Sequence, residues 1–174
     1  MTAASRLPDL WTGVVTNCAV VGVRVPLHVG FHAAQTRLRI LVRGGSLSRA
    51  SEMAYGQGIT GLVKIAGPPA GLTRLGDVSL DDLTEKEGCV HIAVQWDAIA
   101  ADGALFTALL ADLMLIPAGD QVTTLSLTGT CWPPPAAGPG HEVMRSWATA
   151  VAGGFLDSVA SELVHPAGTA RHVP

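Results

Sequence analysis

Between Glu142 and Leu163 the apolar residues Trp147, Val151, Phe155, Val159 and Leu163 recur every four positions, with Met144, Ala148, Ala152, Leu156 and Ala160 beside them. On a helix of 3.6 residues per turn they make one broad stripe. A stripe of that width is stable only against an equally apolar surface, so the rest of the chain must build one. Gly153-Gly154 interrupts the helix interior. Each glycine there costs about 0.5–1 kcal/mol relative to alanine, so the pair points to close approach of a sheet, a kink, or room left for a ligand.

The partner surface is legible upstream. Val21, Val23, Val25, Leu27, Val29 and Phe31 fall on one side of a period of two, with Arg24 and His28 opposite, which predicts a strand from Ala19 to Phe31. Pro26 puts it at a sheet edge or on a bulge. Leu38, Leu41 and Val42 then fall at helical spacing between Ala33 and Arg43, and Gly44-Gly45 stops that helix. Ser46 or Ser48 caps a second short helix reaching about Tyr55. Beyond it the pattern reads as β: strands at Ile59 to Ala66 and Leu72 to Leu80, separated by a turn at Gly67 to Gly71, then an acidic loop through Asp81-Asp82 to Gly88. Val90 to Ile99 alternates most cleanly, and Ala101-Asp102-Gly103 turns the chain back. Ala104 to Ile116 is apolar on both faces apart from Asp112 and fits a strand or a helix equally. After a turn at Pro117 to Asp120, the β-branched run Gln121 to Trp132 closes a meander.

Strand, two short helices, antiparallel meander and long helix define an α+β architecture. The expected domain covers residues 19–164, with 1–18 as an N-terminal extension and 165–174 as a frayed tail. The chain is greasy: 48% of its 174 residues are hydrophobic and only 14% charged, which calls for an internal pocket, an oligomer interface or a core rich in small residues. A net charge of −3 without a basic cluster excludes a nucleic-acid footprint. Cys18, Cys89 and Cys131 are odd in number and far apart, as reduced thiols of a cytoplasmic protein would be. No metal-ligand spacing occurs, no cofactor is called for, and no apolar run reaches the ~20 residues that span a bilayer.

His91, Gln95 and Asp97 share one strand face, opposite Val90, Ile92, Val94, Trp96 and Ala98. If that polar face lines a pocket, His91 and Asp97 are acid–base candidates and Gln95 a hydrogen-bond fork; otherwise it is the solvent face of an ordinary antiparallel sheet. Asp112, alone in an apolar run, is either a carboxylate with a raised pKa or a structural acceptor for Thr124, Ser126 or Arg74. Arg74 and Arg24 are strand-borne cations for a ligand's acidic end or for surface ion pairs. Tyr55, Trp96, Phe106, Trp132, Trp147 and Phe155 offer flat walls for a ligand, or plain core. Gly56-x-Gly58-x-x-Gly61 matches a dinucleotide fingerprint by letter, but it follows a helix and leads toward a strand, the wrong order for that motif.

The order of elements resembles the helix-grip fold of the START-like (SRPBCC) superfamily, which includes polyketide cyclases, aromatases and lipid-transfer domains. Gly44-Gly45-Ser46-Leu47 with Ala50-Ser51 and Ala54-Tyr55, Gln95-Trp96-Asp97-Ala98, Leu105-Phe106 through Asp112-Leu113, Gly129 through Trp132-Pro133-Pro134, and the closing helix are similar to an uncharacterised actinobacterial branch. Two departures matter: Gln95 stands where an Arg commonly precedes the Trp, and Cys131-Trp132 where a Tyr-Arg pair precedes the prolines. The lost Arg removes a fixed cation from the neighbourhood of Asp97 and Asp112. The resemblance implies a curved antiparallel sheet wrapped around the C-terminal helix, with an apolar pocket between them lined by residues such as Trp147, Val151 and Phe155. The functions it implies are binding of a lipid-like or polyketide-like molecule or, as an alternative, a cofactor-independent cyclase or aromatase. A third reading is a protein-contact module, for instance a homodimer joined through a sheet edge.

Overall fold

The computed structural model describes residues 18–66, 74–100, 102–133 and 141–165. Its elements are β1 (Ala19–Leu27), α1 (Phe31–Arg43), α2 (Ser46–Ala66), β2 (Arg74–Leu80), β3 (Thr84–Lys86), β4 (Cys89–Ile99), β5 (Leu105–Gly119), β6 (Val122–Cys131) and α3 (His141–Val164). The strands form one antiparallel sheet in the order β1-β6-β5-β4-β2, with the short β3 also on β4. Register shifts at Leu75/Asp77, Trp96/Asp97 and Pro117/Gly119 bend it. Helices cover one face, with α3 against β1 and β6 and α2 against β2 and α3. This is the helix-grip α+β architecture.

The α3 stripe is realised in full, from Met144 through Leu163, every one of its apolar residues buried. Its partners are the inward residues Val90, Ile92, Val94, Trp96 and Ala98 of β4, Leu109, Leu113 and Leu115 of β5, and Leu125 and Leu127 of β6. Arg37 of α1 donates to the Leu163 carbonyl and so satisfies one of the orphan acceptors at the end of α3.

Several sequence expectations need correction. β1 stops at Leu27, and Phe31 opens α1, because Gly30 serves as the N-cap and the Thr123 hydroxyl ties down the Val29 carbonyl. Pro26 does lie on an edge strand. The second helix is not short: α2 runs 21 residues from Ser46, and the strand expected at Ile59 to Ala66 is its last turns. Gly45, at φ +69, makes the turn between α1 and α2 that glycine permits without strain. The turn expected at Pro117 to Asp120 belongs largely to β5, whose bulge accommodates the missing proline N–H. The ambiguous run Ala104 to Ile116 is a strand, paired on both sides by β4 and β6. The turn at 67–71, all of the extension but Cys18, and all of the tail but His165 lie outside the described residues.

Candidate functional site

α2 and α3 run antiparallel, as their contacts show. A Cβ at Gly154 would meet Ala54 Cβ at 3.7 Å, and one at Gly58 would stand 2.5 Å from Val151 Cγ2 and 3.4 Å from Trp147 Cδ1 and Nε1. Higher numbers on one helix therefore meet lower numbers on the other. Gly58 lets the two helices close up, which offsets what it costs in helix propensity. Gly153-Gly154 makes no unusually close approach: a Cβ at Gly154 would sit at ordinary contact distance from α2, and one at Gly153 would meet nothing within 4 Å.

On α2, Leu47, Ser51 and Tyr55 recur every four residues and are buried; on α3, Trp147, Val151, Phe155 and Val159 do the same. These two stripes meet above Trp96 of β4. Tyr55 packs edge-to-face on Trp147 with ring centroids 5.4 Å apart, and Trp96 on Phe155 at 5.5 Å. Trp96 Nε1 donates to the Ser51 carbonyl at 3.3 Å, anchoring α2 to the sheet.

This apolar seam contains polar atoms left unpaired. Ser51 Oγ, the Tyr55 hydroxyl and Trp147 Nε1 are buried with no hydrogen-bond partner among the described residues. Leaving a buried polar group unsatisfied costs about 1–3 kcal/mol. Ser126 Oγ is in the same state on β6, but it points away from the helices, opposite Leu125 and Leu127. Burial pushes the Tyr55 phenol up to about 12, because desolvation disfavours the charged phenolate. Among the described residues, the buried polar side chains are Gln35, Ser51, Thr123 and Ser126, none of them charged.

Beside the seam lies a groove of about 650 Å³ between α1, the first turns of α2 and the second half of α3. Leu41, Leu47 and Val159 contribute apolar surface and Arg49, Asp157 and Glu162 charged groups. Leu47 is one turn from Ser51 and Val159 one turn from Phe155, but Ser51, Tyr55, Trp147 and Phe155 do not line the groove.

The structure therefore brings Tyr55, Trp96, Trp147, Val151 and Phe155 together, fully buried. Phe106, set inward opposite Ala98 by the β5 bulge, packs on the same core from the far end of the sheet. Trp132 is half-buried just past β6, where its backbone N–H donates to the Ala108 carbonyl at 3.0 Å. Arg74 is exposed at the start of β2.

The polar candidates take the other face of the sheet. Since Trp96 touches α2 and α3, alternation turns His91, Gln95 and Asp97 away from the helices. There His91 Nδ1 lies 2.8 Å from Asp112 Oδ2, and Gln95 Nε2 donates to Asp97 at 2.9 and 3.0 Å and to Thr107 Oγ1 at 3.3 Å. Asp112 is thus a half-exposed structural partner, its side chain 44% accessible, rather than a buried carboxylate. No group of three or more potential metal ligands occurs among the described residues. Sequence reasoning missed Ser51 and Gly58. Their signal was the small-residue spacing Ala54-x-x-x-Gly58, concealed by reading the following residues as a strand.

No family model and no curated protein matches the sequence. Among solved structures the chain is similar to the Zhui aromatase/cyclase from Streptomyces sp. R1128, at 12% identity and a TM-score of 0.40 over 84% of this chain and 93% of that one. It is similar to a conserved protein from Geobacillus kaustophilus at 12% identity and a TM-score of 0.43, over 83% and 95% of the two chains. For norcoclaurine synthase from Thalictrum flavum the values are 8%, 0.39, 94% and 99%. The helix-grip description rests on this chain's own strand order and helix placement, and none of these likenesses bears on its chemistry.

Proposed function

We propose that the protein binds an apolar or aromatic small molecule between the sheet and the α2–α3 pair, and carries or sequesters it rather than transforming it. The observation that carries this reading is the set of buried polar atoms without a partner among the described residues, Ser51 Oγ, the Tyr55 hydroxyl and Trp147 Nε1, lying among aromatic side chains. The groove between α1, α2 and α3 beside the seam supports it, with a volume inside the ~300–1,000 Å³ range of ligand sites.

Catalysis is the weaker reading because the groups that would move protons are elsewhere. His91, Asp97 and Asp112 face away from the helices, and the buried Tyr55 and Cys131 are both pushed up by burial, so each is neutral at pH 7 and neither serves as a base. A cyclase or aromatase in this seam would have to work by confinement and by hydrogen-bond donation from Tyr55. Carriage in a reducing cytoplasm fits Cys18, Cys89 and Cys131, none of which forms a disulfide. Among the described residues no helix is long and apolar enough to cross a membrane.

Native mass spectrometry of freshly purified protein tests the proposal, with a co-purified small molecule released on denaturation as the expected result. An empty protein that also shows no saturable quenching of tryptophan fluorescence by apolar aromatic compounds refutes it.

A further inference from the structure

We infer that the groove between α1, α2 and α3 is a site for a small zwitterion on an aliphatic body, of the chemical class of the apolar α-amino acids. This goes beyond the proposed function, because the groove is a surface that the seam's aromatic residues do not line, and it holds whether or not the seam takes a ligand. Small side chains keep the groove open: Ser46 and Ala50 on α2 and Ser158 on α3 stand where larger residues would interlock. Leu47 and Val159 are buried and Leu41 half-buried, so together they give it an apolar floor. Met53, 60% exposed, adds a flexible apolar side chain at the rim.

The charges of the groove are sorted by helix, with Arg49 on α2 and Asp157 and Glu162 on α3. Among the described residues Arg49 forms no salt bridge, with these carboxylates or any other, and Asp157 and Glu162 pair with no cation. The Arg49 guanidinium reaches the Ser46 hydroxyl at 3.4 Å, which leaves most of its five N–H donors for a ligand. Opposite charges that line one groove without bridging leave both signs to be answered from outside. A plain anion would meet two carboxylates and a plain cation the guanidinium, while a hydrocarbon would strip water from all three and replace none of it. A zwitterion sets its carboxylate on Arg49 and its ammonium against Asp157 or Glu162, and its aliphatic body covers Leu41, Leu47 and Val159.

Three compounds with one aliphatic body separate the possibilities: leucine carries both charges, isoamylamine the cation alone and isocaproate the anion alone. Each is titrated calorimetrically into the intact protein at low ionic strength, where exposed charges are screened least. Leucine should bind about fivefold more tightly than either of the others, the difference that one partly exposed ion pair supplies at the upper end of its range. Arg49→Gln should erase the advantage of leucine over isoamylamine, and Asp157→Asn with Glu162→Gln its advantage over isocaproate. All three side chains are exposed, so the variants keep the fold. Isoamylamine or isocaproate binding as tightly as leucine overturns the inference. So does leucine binding that these substitutions leave unchanged, since the ligand then sits elsewhere. Absence of saturable binding by all three compounds overturns it as well, and leaves the seam to its own mass-spectrometric test.

Discussion

The seam between α2 and α3 can be tested by one methyl group. Replacing Gly58 with alanine places a Cβ 2.5 Å from Val151 Cγ2, closer than carbon atoms pack, with Trp147 Cδ1 and Nε1 at 3.4 Å on the same side. Val151 has no easy escape. It is fully buried, and a β-branched residue within a helix is held to essentially one χ1 rotamer. Overpacking of this kind costs about 1–3 kcal/mol, against the roughly 0.5–1 kcal/mol that alanine returns in helix propensity. Gly58→Ala should therefore lower stability by about 1 kcal/mol or more. Gly56 in the same helix supplies the control, being exposed with nothing within 4 Å of its would-be Cβ. Gly56→Ala should raise stability by about 0.5–1 kcal/mol. The two variants, one helical turn apart or less, should differ by about 2 kcal/mol, or roughly 4–8 °C in Tm for a chain of this length. Urea denaturation followed by circular dichroism measures both. Equal stability of the two variants would mean that α2 does not close on Val151 and Trp147, and the candidate site would lose its roof.

Tyr55 is the single tyrosine of the chain, so its tyrosinate absorbance reports one group, and half-ionisation should fall near pH 12 rather than 10 while the fold persists. The phenol binds its proton more tightly folded than unfolded. Its contribution to stability is therefore complete below about pH 10 and is lost as pH rises from 10 to 12, up to about 2–3 kcal/mol in all. Tyr55→Phe should abolish that slope in pH-dependent melting and should not destabilise the ligand-free protein at pH 7, because it removes an unsatisfied hydroxyl; a loss above about 1 kcal/mol would show that the hydroxyl has a partner. Native alkylation followed by peptide mass mapping should modify the half-buried Cys18 and Cys89 well before Cys131, whose thiol is inaccessible and pushed up by burial. Asp112→Asn should cost less than about 1 kcal/mol in denaturant unfolding, since its pairing with His91 is a partly exposed one; a loss of several kcal/mol would return Asp112 to the status of a buried charge.

What the sequence disclosed and what it hid follow from the same physics. Elements with one wet face were legible: the period of two in β4 and the stripe of α3 record a single buried side, and each is realised residue by residue. Asp112 misled because the outer face of β5 also carries Leu110, Met114 and Ile116, so the alternation that would have marked the carboxylate as outward was erased. α2 misled for a different reason. Its second half carries Ile59 and Thr60 among glycines, a combination that local propensity assigns to a strand after a turn. Tertiary contact decides otherwise: without a side chain, Gly58 permits a helix–helix approach whose burial outweighs the propensity that it forfeits. The clue lay in α2 itself: Ala54-x-x-x-Gly58 sets two small residues one turn apart, a helix face that a neighbour can approach closely, and reading it so places α2 beside α3 and turns Ser51 and Tyr55 inward.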